Sequence, residues 1–239
     1  HKEYRRQRQM CIRDRAIEVD QKPIGKTSRS TPATYLGVWD RIRNLFAQLQ
    51  ESKTRGFTSS TFSFNVKGGR CESCKGNGKL KLEMNFLPDS YVSCPSCNGM
   101  RFKNEILNLK WKGKNIADVL NLTFEEAFHF FTFDLPLKET FGLMIETGLG
   151  YIRLGQASPT LSGGEAQRLK LASELACGID KGKLSSRPNT KPNFYVLEEP
   201  TIGLHQKARI KLLHLLQSLV RAGNTVVVVE HDVDLIAAA

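Results

Sequence analysis

Two cysteine pairs, Cys71-x-x-Cys74 and Cys94-x-x-Cys97, separated by 19 residues, constrain this chain more than any other feature. Two residues between cysteines let a tight turn aim both sulfurs at one ion, and two such turns complete a tetrahedral set of four thiolates. Gly76 and Gly99 each stand two residues after the second cysteine of a pair, where such a turn can require positive φ. With all four positions filled by protein, the expected site is a structural Zn2+ with no place for a catalytic water. Redox use of C-x-x-C is the other reading, but redox motifs do not come twice at this spacing. Cys11 and Cys177 are isolated.

The sequence around the pairs is patterned for strands. Phe62, Phe64 and Val66 alternate, as do Leu80, Leu82, Met84 and Phe86, and then Leu107, Leu109 and Trp111. Residues 62–115 are therefore expected to form a small β-rich module. Residues 1–15 carry neither a helical nor a strand period and are expected to be a disordered or foreign tail. Ala16 to Val19 reads as a strand end, and Gln21 to Tyr35, rich in Pro, Ser and Thr, as an extended loop. Val38 to Leu49 has apolar residues at 38, 39, 42, 45, 46 and 49, a helical stripe.

Helical periodicity returns near Ile116. Thr123 to Glu126 has the form of a capping box, residues 140–177 read as mostly helical, and Lys181 to Pro192 as a polar loop. Phe194 to Leu197 is continuously apolar, as in a strand buried on both faces. Lys207 to Arg221 is an amphipathic helix stopped at Gly223, and Val226 to Val229 is a second buried strand. Strand, helix and strand in about 35 residues make a βαβ unit with a parallel sheet, so the fold class is α/β.

Composition narrows the function classes. Hydrophobic residues make up 40% and charged residues 25%, enough for a real core, which excludes a wholly disordered or collagen-like chain. The longest apolar runs, such as Val226 to Val229 and Leu235 to Ala239, are far too short to span a bilayer. No apolar stretch follows the basic start at His1 to Arg8, so no secretory leader is read and the expected compartment is the cytoplasm. The chain opens on His1, not Met, and is expected to be a fragment. Its net charge of +11 is uneven. Residues 1–70 hold 15 Lys/Arg against 6 Asp/Glu, residues 71–115 hold 8 against 4, and residues 116–239 hold 12 against 14. A basic first half calls for a polyanion partner or a merely solvated surface.

The second half carries phosphate chemistry. In Thr160-Leu161-Ser162-Gly163-Gly164-Glu165-Ala166-Gln167-Arg168, Ser162 and Glu165 form a capping box, but the two glycines weaken the helix start while baring N–H groups suited to a phosphate. The strand at 194–197 ends in Glu198-Glu199, two carboxylates at a strand end where α/β sheets bind ligands. The strand at 226–229 ends in Glu230-His231. If the two strands are parallel neighbours, His231 and Glu199 share one edge. Gly25-Lys26-Thr27 is a false P-loop match: Asp20 stands where the first glycine is needed, and Pro23 removes an N–H from the would-be cradle.

LSGGEAQR, an apolar strand ending in two acids, and VVVVEHD together resemble the signature motif, Walker B strand and switch histidine of an ABC-type ATPase. DQKPIGKTSRSTPATYLGVWDRIRNLF, the segment GGRCESCKGNGKLKLEMNFLPDSYVSCPSCNG, and YIRLGQASPTLSGGEAQRLKLASEL narrow the resemblance to the UvrA family, the damage-sensing ATPases of the bacterial excinuclease, over about residues 16–236. The resemblance implies a domain order. Residues 16–61 would carry the Q-loop and the start of a signature subdomain, 62–115 the inserted four-cysteine zinc module, 116–178 the helical signature subdomain, and 193–239 a truncated ATPase core. It implies Gln21 as the Q-loop glutamine, and Ser162, Gly163, Gly164 and Glu165 as the signature closing over ATP. Glu198 would orient Mg2+, Glu199 would be the general base, and His231 would hold the γ-phosphate. Glu198 departs from the usual Asp, and Ile202 stands where Thr is common.

The family implies a homodimer that couples ATP binding and hydrolysis to damaged double-stranded DNA and hands the lesion to UvrB. The charge distribution puts the expected DNA surface on Arg29, Arg41 and Arg43, then Lys67, Arg70, Lys79 and Lys81. Other readings are a UvrA-like drug-resistance paralogue, a transporter ATPase, and a non-catalytic zinc module of the DnaJ type. Transporter ATPases lack the four-cysteine insertion, and DnaJ-type modules lack LSGGE.

Overall fold

The computed structural model describes residues 16–82, 90–179, 193–204, 206–221 and 223–237. The expected tail at 1–15 with Cys11, the alternation at Met84 and Phe86, the loop at 181–192, His205 and the Cys177 side chain lie outside the described residues. The chain divides into two compact units. One comprises residues up to Ile24, Phe124–Ile152 and those from Leu161 on; the other comprises Gly25–Thr123 and Arg153–Thr160.

The first unit is α/β. The βαβ expectation is met: Phe194–Glu198 and Thr225–Val229 pair in parallel across the helix Gln206–Arg221, and Gly223 stops the chain at φ 88°. A third strand, Ala16–Val19, pairs in parallel on the other side of Phe194–Glu198. All three strands therefore end at one edge. Tyr195 and Leu197 are buried, and their register partners Ile17 and Val19 are buried beside them. Continuous burial is not what the strands show, however. Phe194, Val227 and Val229 are exposed on the alternate positions, so each strand alternates between a packed and an open side.

The same unit also holds the helices Phe124–Phe130, Leu135–Glu146 and Gly163–Ile179. Phe124–Phe130 and Leu135–Glu146 pack on each other, with Phe124 and Phe131 against Phe141 at ring centroids of 6.0 and 5.8 Å. Asp134 opens the second of these by accepting the Leu137 N–H at 3.2 Å. Helix was expected through 140–177, but it stops at Glu146 and resumes only at Gly163. Gly148, at φ 75°, turns the chain out of the helix, and the 163–179 helix then runs beside Leu135–Glu146.

The second unit is built on aromatic packing. Val38–Ala47 is a helix, as its stripe predicts, with Val38, Trp39, Ile42 and Phe46 buried. Phe62 stacks on Phe46 at 5.7 Å, and Phe64 meets Trp39 at 5.6 Å and Phe102 at 6.2 Å. The expected strand at 62–66 is absent: this stretch is turns and bends. Burying each ring stabilises by about 1.5–3 kcal/mol whatever the backbone does, so alternation arose here from two rings facing one core. Strands Lys79–Leu82 and Ser90–Ser93 form an antiparallel hairpin. The third expected strand is reduced to Lys110–Trp111, paired with Lys114–Asn115 across Lys112-Gly113 at φ 47° and 80°. Two adjacent positive φ values are what a tight hairpin turn of this hand demands. Leu107 ends a helical turn, Asn104–Leu107. Pro32–Tyr35 is also a helical turn within the expected loop, boxed by Thr31 and Thr34. Among the described residues no helix is long and apolar enough to cross a membrane.

Candidate functional site

The four cysteines of the second unit converge. All are buried and free of disulfides, with their sulfurs within 4.8 Å of one another. Sγ separations are 4.0 Å for Cys71 and Cys94 and 3.7 Å for Cys74 and Cys97. Four thiolates at about 2.3 Å from a tetrahedral ion lie about 3.8 Å apart, so the cluster has the dimensions of a closed metal cage. Each knuckle turns on two successive residues of positive φ, Lys75-Gly76 at 51° and 81° and Asn98-Gly99 at 47° and 80°. A Cβ on Gly76 would lie 1.9 Å from the Phe64 carbonyl oxygen, so only glycine fits there. Burial pushes the Cys74 thiol up and Cys97 up to about 12. Burial raises Cys94 too, but the N–H groups of Cys97 and Ser96 outweigh it and hold that thiol down to about 7. Arg101 lies near Cys74 and Cys97, donates to the carbonyls of Ser28 and Gly155 at 3.0 Å each, and covers the Phe64 ring.

In the first unit the parallel strands bring Gln21, Glu198-Glu199 and Glu230-His231 to one edge. His231 Nε2 lies 3.3 Å from Glu199 Oε1, so the two strand-end residues meet. The Glu199 N–H donates to the Val229 carbonyl at 2.8 Å, and Glu199 itself sits at φ 45°. The side chain of Glu198 is exposed, while its carbonyl accepts from Gln167 Nε2 at 2.6 Å and Gln21 Nε2 at 3.4 Å. Gln167, fully buried on the Gly163–Ile179 helix, also donates to the Val19 carbonyl at 2.9 Å. Lys170, one helical turn on, bonds Asp20 and the Lys22 carbonyl. The amide and ammonium together pin the helix to two strand ends.

The loop before that helix is tightly formed. Ser162 Oγ accepts from the Glu165 N–H at 3.3 Å, Glu165 Oε2 accepts from the Ser162 N–H at 2.7 Å, and Tyr151 donates to Glu165 Oε1 at 2.5 Å. Burial raises the Glu165 carboxyl, but the Tyr151 and Ser162 donors outweigh it and hold it below the usual range. A Cβ on Gly163 would lie 3.1 Å from Gln21 Oε1, and one on Gly164 would lie 3.1 Å from the Ile202 carbonyl. The two glycines thus let the loop approach Gln21 and the 199–204 turn. Arg168, 2% exposed, donates to that same Ile202 carbonyl at 3.1 Å. The sequence alone assigns no role to Gln167, Arg168, Tyr151 and Glu230. A long polar side chain on the buried face of a helix was the available signal for the first two.

Gly25-Lys26-Thr27 runs into a turn at Ser28-Arg29, closed by the Ser30 N–H on the Thr27 carbonyl at 3.0 Å, and the next helix is only the short Pro32–Tyr35 segment. That is not a loop opening a helix N-terminus, as phosphate binding in a P-loop requires. Of the basic candidates, Arg41, Lys67, Lys79 and Lys81 are exposed and Arg29 is half-buried. Arg43 is tied to Asp40 at 2.5 Å and the Ser59 carbonyl at 3.2 Å. Arg70 is buried, 9% exposed, and bonds the Asn65 carbonyl and Glu72.

No family model matches the chain. It is 53% identical over 226 residues to UvrABC system protein A of Streptomyces avermitilis, covering 95% of this chain and 21% of that protein. Against the protein of the same name from Thermus thermophilus it is 54% identical over 226 residues, 23% of that protein. The crystal structure of UvrA2 from Deinococcus radiodurans superposes with a TM-score of 0.83 at 49% identity, covering 94% of this chain and 26% of that one. Over 95% of its length the chain is thus similar to UvrABC system protein A, and it spans only about a fifth of the length of those relatives.

Proposed function

We propose that this chain is part of an ABC-type ATPase of nucleotide excision repair, in which ATP binding and hydrolysis are coupled to gripping damaged double-stranded DNA. The intact protein would work as a homodimer in the cytoplasm and pass the lesion to UvrB. The observation that carries this reading is the strand-end pair Glu199 and His231, 3.3 Å apart, on the unit that also holds a signature loop built over glycines.

Glu199 takes the proton of the attacking water, since its carboxylate stands at the strand end beside an imidazole that can meet the γ-phosphate. Glu198, exposed at the same edge, is the residue to hold Mg2+, and Gln21 reports the state of that edge through the Glu198 carbonyl. When bound, Mg2+ supplies charge neutralisation at the phosphates. Ser162, Gly163 and Gly164 offer N–H groups to a phosphate. Glu165, engaged by Ser162 and Tyr151, shapes that loop instead of meeting nucleotide itself. Cys71, Cys74, Cys94 and Cys97 hold one structural Zn2+. For DNA, the exposed Arg41, Lys67, Lys79 and Lys81, with Arg29, form the contact set, whereas Arg43 and Arg70 serve the fold.

Glu199→Gln in the intact protein tests the reading. Hydrolysis at this site should fall by at least about a hundredfold while ATP is still bound, because the amide keeps the size but cannot take the proton. Undiminished hydrolysis would overturn it.

A further inference from the structure

Glu230, one residue beyond the strand Thr225–Val229, uses both carboxylate oxygens. Oε1 accepts from the Thr201 N–H at 2.8 Å and from the Thr201 hydroxyl at 2.5 Å. Oε2 accepts from the N–H groups of His231 at 2.9 Å and Asp232 at 3.2 Å. Thr201, 6% exposed, lies two residues after Glu199 in a turn closed by the Ile202 N–H on the Glu199 carbonyl at 3.2 Å. One carboxylate thus joins the turn that begins at Glu199 to the segment that carries His231. A parallel tie runs beside it: Arg209 bonds Asp232 at 2.5 Å and the Leu204 carbonyl at 3.0 Å.

The need for such an anchor follows from exposure. The His231 side chain is 84% exposed and that of Glu199 35%, so packing does not hold either one. Their 3.3 Å approach is set by where the two main-chain segments lie. Catalytic geometry is unforgiving of displacement, and a shift of about 1 Å can cost about a hundredfold in rate.

We propose that Glu230 is a positioning residue for hydrolysis, fixing the main chain of His231 and the turn after Glu199 in one frame. The proposal rests on the hydrolytic reading of Glu199 given above. In the intact protein, Glu230→Ala should lower kcat about tenfold and change KM for ATP less than about twofold. Added to His231→Ala and measured under single-turnover conditions, the same substitution should cost less than about a further twofold, because what Glu230 fixes is the position of His231 relative to Glu199, which no longer matters once the imidazole is gone. Wild-type kcat in Glu230→Ala, or the same loss in both backgrounds, would overturn the proposal. If Glu230→Ala fails to fold, Thr201→Val, which removes only the hydroxyl arm, should lower kcat about threefold, and Thr201→Ser should restore it. Wild-type kcat in Thr201→Val then overturns it. Glu199→Gln separates the two levels of inference. If that variant hydrolyses ATP normally, the hydrolytic reading falls and the proposal with it; if it is inactive while Glu230→Ala turns over normally, only the positioning role is lost.

Discussion

Glu199 occupies φ 45°, a left-handed conformation that costs a glutamate on the order of 1 kcal/mol. Such strain persists where the surrounding hydrogen bonds over-determine it, as the Val229 carbonyl and the Ile202 N–H do here. Glu199→Gly should therefore raise stability to urea by about 1 kcal/mol while abolishing hydrolysis, a divergence that a purely structural glutamate would not produce. Gln167 makes the opposite case. Its amide satisfies two strand-end carbonyls from a buried position, and Gln167→Leu keeps the volume while leaving both without that donor. A loss of about 2–4 kcal/mol in chemical denaturation is expected. At the metal cage, Cys94→Ser should take zinc content from one ion per chain to near zero, read by elemental analysis, because three thiolates do not close the tetrahedron.

At the scale of elements, the 199–204 turn and the 230–232 segment are joined by carboxylates, and this gives their junction a pH dependence. Burial raises the Glu230 carboxyl, but the donors of Thr201, Asp232 and His231 outweigh it and hold it below its ordinary value. Its contribution is thus present above the unfolded carboxylate value near 4.5 and is lost as pH falls through the lower folded value. Asp20 follows the same direction, because hydrogen bonding to Lys170 outweighs its slight burial. Urea midpoints measured downward from pH 6 should fall more steeply for the wild type than for Glu230→Gln, whose amide does not titrate. Coincident curves would remove Glu230 from the acid response. The cysteine knuckles form a second local element. Their covering core is small, with Leu80 the hydrophobic side chain packed on the four cysteines, so chelation should unfold residues 67–105 first. Hydrogen exchange after metal removal reads this directly.

At the scale of the whole molecule, the charge is segregated: residues 1–115 hold 23 Lys/Arg against 10 Asp/Glu, while 116–239 hold 12 against 14. DNA contacts that tolerate any sequence fall on phosphates, and each one lost should lower the salt slope of binding by about one unit. Lys67→Ala and Lys79→Ala, at exposed positions, should each do so in the intact protein. Arg70→Ala should instead lower stability, since its guanidinium is buried against Asn65 and Glu72. Unchanged slopes for both lysines would move the DNA surface elsewhere.

The sequence by itself determined whatever depends on neighbours within a few residues. The cysteine knuckles were legible because turn chemistry and glycine φ are local, and Gly76 and Gly99 take the positive φ their positions call for. The 38–47 and 206–221 helices and the parallel pairing of the last two strands were legible because period and connection length are local too. Tertiary structure alone decided the rest. Ala16–Val19 pairs with a strand more than 170 residues away, and no local pattern encodes that choice of partner. Phe62 and Phe64 alternate like a strand but are held by ring packing, because burial rewards the direction of a side chain and not the hydrogen bonding of its backbone. Arg70 and Lys79 look alike as charges in sequence. Only the packed chain buries one, bonded to the Asn65 carbonyl and Glu72, and leaves the other in water.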